Sequence, residues 1–127
     1  KPLKNPKIAI LGIAFKGKPA TSDIRGSVAV QLKNRLKNSG YKNINVFDPV
    51  VPKKDFYESG LKYLHKIEDG FKDVDAILIM NNHDFFENLS IRNLLQFSSK
   101  PVFLLDGWSL YDPKEIAKVK HVHYKRI

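Results

Sequence analysis

The sequence predicts an α/β domain, a three-layer sandwich with a mostly parallel sheet of about five to six strands between helices. Three observations carry this. Residues 7–14, 75–80 and 101–105 hold nearly unbroken apolar runs, the pattern of strands buried on both faces. Stretches with helical spacing fall between these runs, as parallel strands joined by crossover helices require. The chain has 127 residues, 43% of them hydrophobic. That is the size of one domain with a substantial core.

The first strand is read over residues 7–14. A polar turn with Gly17 and Pro19 follows, then a helix over about residues 25–39. In that helix Val28, Ala29, Leu32 and Leu36 are placed inward and Lys33, Arg35 and Lys37 outward. Ser22 or Asp23 is the expected N-cap and Gly40 the C′ residue. Ile44–Phe47 is the second strand, ended by Asp48-Pro49. A short helix is expected at 55–59, a weak strand at 62–64 and another short helix at 67–72. The next strand is Asp75–Met80. Asn81-Asn82-His83-Asp84 then caps a helix carrying Phe85, Leu89, Ile91, Leu94, Leu95 and Phe97, drawn as one or two pieces. Residues 101–105, 114–117 and 122–124 are the last strand, helix and strand. The alternation is Rossmann-like, and it directs attention to the carboxyl ends of the strands. Residues 1–6 read as a linker remnant and 7–127 as the domain.

Several classes are excluded. With no cysteine there is no disulfide scaffold, no Cys-based zinc site and no thiol nucleophile. The longest apolar run, Ile8–Phe15, is far short of the ~18 residues of a membrane span, and no secretory leader is legible. A chain opening on Lys1 rather than Met is expected to be an excised or processed piece. The formal charge is +9, and all of the excess lies in residues 1–62. A basic half invites an anionic partner. Nucleic acid is one candidate, but no zinc-finger spacing or aromatic RNA-recognition strand accompanies it.

The strand ends hold the remaining chemistry. Gly12-x4-Gly17-Lys18 imitates a P-loop, yet Pro19 stands where a magnesium-binding hydroxyl belongs and Ile13-Ala14-Phe15 is too apolar to cradle phosphate. No Gly-x-Gly-x-x-Gly follows the first strand, so this chain alone is not expected to hold a dinucleotide. Asp48 reads as a local Asp-Pro turn. Lys16 stands at a strand mouth. Arg25 stands in the first turn of a helix, where the dipole disfavours a cation. It is either drawn to an anionic ligand, paired with Asp23, or simply solvated. His121 and His123 share a predicted strand face without a third ligand, so no metal site is expected. His83 is read as a helix cap, and Asp73 and Asp75 as surface carboxylates.

The run Ala14-Phe15-Lys16-Gly17-Lys18-Pro19-Ala20-Thr21-Ser22-Asp23-Ile24-Arg25-Gly26-Ser27 is distinctive. With Phe47-Asp48-Pro49, His83-Asp84-Phe85 and Leu105-Asp106-Gly107, it resembles the C-terminal UDP-binding domain of the UDP-glucose/GDP-mannose dehydrogenase family. The resemblance covers about residues 6–124. It implies a cytoplasmic, homo-oligomeric parent that oxidises the C6 alcohol of a nucleotide sugar to a carboxylate. Such a parent uses two NAD⁺ in succession and a covalent cysteine. Both the cysteine and the NAD fingerprint would belong to N-terminal and central domains, so this domain alone is expected to be inactive. Carried over residue by residue, Phe15 and Lys16 meet the UDP-sugar and Arg25 approaches NAD. Many members have an arginine after Asp-Gly, and Trp108 stands there instead. That tryptophan either stacks on the base or sugar or packs at the domain interface. The rival class is a stand-alone basic module for nucleic acid or a phosphorylated ligand. No membrane partner is expected.

Overall fold

The computed structural model describes residues 5–14, 16–18, 20–58, 62–98 and 100–127, without the side chains of residues 57 and 58. Phe15, residues 1–4 of the expected linker, and residue 59 at the end of the expected helix lie outside the described residues. Five parallel strands form one sheet: β1 (Ile8–Leu11), β2 (Ile44–Phe47), β3 (Ala76–Ile79), β4 (Val102–Asp106) and β5 (Val122–Arg126). Their order is β2-β1-β3-β4-β5. The chain reverses its winding at β1, so β1 and β3 are neighbours, and the crevice beyond their carboxyl ends is the switch point where such sheets take ligands.

Alternation along the strands divides the interior into two cores. Ile8, Ile10, Ile44, Val46 and Leu78 face one side with Ala29 and Phe56. Ala9, Leu11, Ile77, Ile79 and Leu104 face the other with Phe71, Phe86 and Leu95. Helices α1 (Val28–Asn38) and α2 (Lys53–Glu58) belong to the first layer. Helices α3 (Asp84–Glu87), α4 (Ile91–Leu95) and α5 (Pro113–Ile116), with a 3₁₀ turn at Ile67–Gly70, belong to the second.

Several expectations change. The sixth strand is a single parallel bridge, Tyr63 against Val46 on the outer side of β2. β1 stops at Leu11 because Gly12 turns to φ +95°. The long helix starts at Val28 and is capped by Ser27, whose Oγ accepts from the Val30 amide at 3.2 Å. Asp23 cannot cap it, because its carboxylate accepts from the Arg25 amide at 2.9 Å and Gly26 then takes φ +68°. Arg25 therefore precedes the helix rather than sitting in its first turn, and the dipole argument for an anionic ligand falls away. The delayed start also leaves Val28 63% exposed at the sheet's carboxyl edge, while Lys33, expected outside, is only 9% exposed.

Other side chains find uses that spacing alone does not show. Asp75 is not a free surface acid: it accepts from the Lys7 amide at 2.8 Å and pairs with Lys100 at 3.2 Å. His121 lies before β5 and its Nε2 is 3.0 Å from the Leu95 carbonyl, whereas His123 stacks on Phe103 within the sheet. The two imidazoles thus serve different neighbours.

Candidate functional site at the carboxyl edge of the sheet

Three strand ends are fixed to one another by buried side chains. Asp48, just after β2, is 7% exposed. Its Oδ2 accepts from the Ile13 and Ala14 amides at 2.8 and 2.9 Å, and its Oδ1 from Val50 and Val51 at 2.9 and 3.1 Å. The local Asp-Pro turn is therefore also the anchor of the β1 loop. In a phosphate-binding loop those two β1-loop amides would face the ligand. Here an internal carboxylate takes them, so the described residues do not fit a dinucleotide pyrophosphate at β1.

Asn81, 2% exposed, joins the β1 loop to the end of β3. Its Nδ2 donates to the Ala14 carbonyl at 3.3 Å, and its Oδ1 accepts from the His83 amide at 2.7 Å. The approach is so close that only glycine fits opposite. A Cβ on Gly12 would lie 2.3 Å from that of Asn81, and one on Gly17 would lie 2.2 Å from the His83 amide. His83 caps α3, accepting from the Phe85 amide at its Nδ1 (3.0 Å).

Asp106, fully buried at the end of β4, holds the third strand end. Its carboxylate accepts from the Trp108 amide at 3.2 Å, the Tyr111 amide at 3.0 Å and the Tyr124 hydroxyl at 2.7 Å. The Tyr111 hydroxyl donates in turn to the Phe86 carbonyl. Burial beside the Asp106 charge raises both phenols above the ordinary tyrosine range. The loop is closed further by the Ile127 amide on the Asp106 carbonyl (3.1 Å) and the Ser109 hydroxyl on the Ile127 carbonyl.

On this frame the sequence-derived residues occupy different situations. Trp108 is half-exposed and, with Ala14, Val28, Met80, Gly107 and Ile127, lines an open cavity of about 240 Å³. Lys16 is exposed on the same edge, at the β1 loop. Lys18, two residues on, pairs with Glu87 at 2.7 Å and Asp84 at 3.3 Å, and these partners raise its pKa. Lys16 has no ion-pair partner among the described residues. Arg25, its side chain 90% exposed, forks onto Asp23 with Nε at 3.0 Å and a terminal nitrogen at 2.8 Å. That guanidinium draws the Asp23 carboxyl down to about 2. Phe15 lies outside the described residues. The sequence reading missed Asn81, Asp106 and Tyr124 as builders of the site and Val28, Met80 and Ile127 as its apolar wall. Two of them left a trace: Asn81 in the capping run Asn81-Asn82-His83-Asp84, and Asp106 as an acid followed by glycine at a strand end.

A parallel α/β sheet with a braced, half-apolar, cationic edge beyond β1, β3 and β4 defines a ligand-binding domain of the doubly wound class. Residues 9–113 match the family model described as the UDP-glucose/GDP-mannose dehydrogenase family, UDP binding domain. The chain belongs to that family, in the place of its C-terminal domain.

The relatives agree. A UDP-glucose 6-dehydrogenase of Rickettsia conorii is 29% identical over 125 residues, covering 96% of this chain and 28% of that protein. The Gallus gallus UDP-glucose 6-dehydrogenase is 30% identical over 120 residues, covering 84% and 24%. Among solved structures, an NDP-N-acetyl-D-galactosaminuronic acid dehydrogenase from Methanosarcina mazei superposes with TM-score 0.78 at 22% identity, over 97% of this chain and 24% of that one. The chain thus spans about a quarter of the length of the proteins it matches.

Proposed function

We propose that this chain is the nucleotide-sugar-binding domain of an NAD-dependent UDP-sugar 6-dehydrogenase, which oxidises the C6 alcohol to a uronic acid. The observation that supports it most is the union, on one braced edge inside the segment that matches the family, of an exposed Lys16 without an ion-pair partner among the described residues and a half-exposed Trp108. Lys16 supplies a cation to the diphosphate. Trp108 offers a flat apolar face to the base or sugar. Phe15 is assigned to the same ligand. Arg25 is assigned to the anionic cofactor, reached when the cofactor-bearing domain docks and draws the guanidinium from Asp23. The 127 residues contain no cysteine and no dinucleotide fingerprint, so this domain by itself binds and does not turn over. The partner domains, a homo-oligomeric parent and a cytoplasmic setting belong to the same proposal. No described helix is long and apolar enough to cross a membrane.

Trp108 is the single tryptophan, so its fluorescence reports on this edge alone. Titration with UDP is expected to give a saturable change in emission, and uridine a far weaker one. Equal responses to UDP and uridine would remove the diphosphate from the account. No response to either would remove Trp108 from the site.

A further inference from the structure

A second basic feature lies away from the candidate site, at the outer edge of the sheet. Lys33 and Lys37, one turn apart in α1, face Lys42 from the α1–β2 connection and Lys62 from the segment beside β2. Together with Tyr41 they rim a small cavity of about 50 Å³ whose floor is Ile44 and Val46 of β2. Ile44 opens β2 and is registered with Ile8, which opens β1. The cavity therefore sits toward the amino ends of the strands, whereas Lys16 and Trp108 sit at the carboxyl ends.

The four cations come from three separate segments, so the fold rather than local sequence gathers them. None is within ion-pair distance of a carboxylate among the described residues. Lys33 is the telling member. It is 9% exposed, on a helix whose other lysine in the groove stands in solvent. Burial and the neighbouring Lys37 charge lower its pKa. An ammonium held in a half-apolar recess beside like charges is stabilised by an anion that meets several of them at once. The recess is small and has one partly exposed aromatic, Tyr41. A compact multivalent anion fits this shape. A single strand, which lies along an extended cationic groove with several stacking platforms, does not, and four lysines around one small recess are short of the extended cationic face a duplex takes.

We propose that the Lys33–Lys37–Lys42–Lys62 groove is a binding site for a compact phosphate-class anion, separate from the edge that carries Lys16 and Trp108. The site is independent of the dehydrogenase reading.

Inorganic pyrophosphate and sulfate are the probes, titrated into the ¹⁵N-labelled chain. Pyrophosphate is expected to move the amides of Lys33, Lys37, residues 41–44 and Lys62 in a saturable way, and sulfate the same amides more weakly. Lys33→Gln with Lys62→Gln is expected to weaken binding about tenfold or more, the scale of losing two charge-assisted contacts. The exposed pair Lys37→Gln with Lys42→Gln is expected to do the same without touching a buried side chain. Both variants keep the wild-type response to UDP at Trp108. The proposal is overturned if millimolar pyrophosphate moves none of these amides, if the shifts fall instead on Gly12–Lys18, or if neither double variant changes the affinity. A short DNA duplex that binds where pyrophosphate does not would also overturn it, in favour of a nucleic-acid surface.

Discussion

Asp48 spends both carboxylate oxygens on four backbone amides, three of these bonds buried. Alanine there leaves donors unmet in the interior, at about 1–3 kcal/mol for each buried one that finds no water. Asp48→Ala is therefore expected to lower Tm by about 10 °C, taking about 3 kcal/mol and the size scaling of small domains. Asp48→Asn, which keeps one acceptor oxygen, is expected to lose about half as much. Calorimetry of the two variants decides this, and equal melting of all three proteins would show that the amides are satisfied elsewhere. Arg25 poses a different question at the same scale. Its fork holds the Asp23 carboxyl at about 2, below the ordinary aspartate value of 3.8. The preference that the pair contributes is present above the ordinary carboxylate pKa and fades as pH falls through about 2. Arg25→Ala is expected to return the Asp23 titration, followed by carboxyl-carbon NMR, toward 3.8. A titration left near 2 would mean that the backbone amide of residue 25, and not the guanidinium, sets it.

Among the elements, the β1 loop is the one with least freedom, because Gly12 and Gly17 both abut Asn81. Gly12→Ala combines a positive φ with a backbone-proximal clash, and is expected to destabilise by several kcal/mol. Gly17→Ala sets a Cβ 2.2 Å from the His83 amide nitrogen and 2.7 Å from the Asn82 carbonyl carbon, so the loop must shift. The substitution is expected to lower the melting transition and to weaken UDP at least about tenfold, roughly 1.4 kcal/mol, by displacing Lys16. Unchanged UDP affinity in Gly17→Ala would contradict that placement. The same loop shows what a sequence does and does not disclose. Ile8–Leu11 and Val102–Leu105 were legible as strands because burial on both faces writes itself as an apolar run. The end of β1 was not, because it depends on Asn81, a residue 69 positions from Gly12 that only the parallel pairing of β1 with β3 brings near. The start of α1 was misplaced because Ser22 and Asp23 have the chemistry of caps, while Asp23 is engaged by the backbone of Arg25. Lys33 reads as solvated in a helical projection, and only the fold of Tyr41–Lys42 and Lys62 around it makes it a buried cation. Phe15-Lys16 stands out in the sequence only through the family resemblance. The brace of Tyr124 on Asp106 beside the Trp108 turn does not show there, since 18 residues separate the strand end from the phenol that meets it.

At the scale of the molecule, the network of Asp106, Tyr111 and Tyr124 ties β4 and β5 to α3. Both phenols are held protonated in the fold beyond their ordinary range. The unfolded chain releases these protons near the ordinary tyrosine pKa of about 10. Stability from this network is therefore complete below that pH and declines as pH rises above it, toward the raised folded-state values. Denaturant melts across the alkaline range are expected to show this decline, and Tyr111→Phe with Tyr124→Phe to flatten it. A variant that declines as steeply as the parent would place the alkaline sensitivity elsewhere. The +9 charge is also divided at this scale: part of it gathers around Lys33 at one edge, and Lys16 and Arg25 stand at another. That division makes the central claim, UDP at the carboxyl edge, directly testable. UDP is titrated into the ¹⁵N-labelled Lys33→Gln, Lys62→Gln chain, with and without Lys16→Ala. The account predicts saturable shifts at Gly12–Arg25, Asn81–His83 and Gly107–Ser109, weakened about tenfold or more by the loss of Lys16. Shifts absent from those strand ends, or unchanged in position and affinity without Lys16, would contradict it.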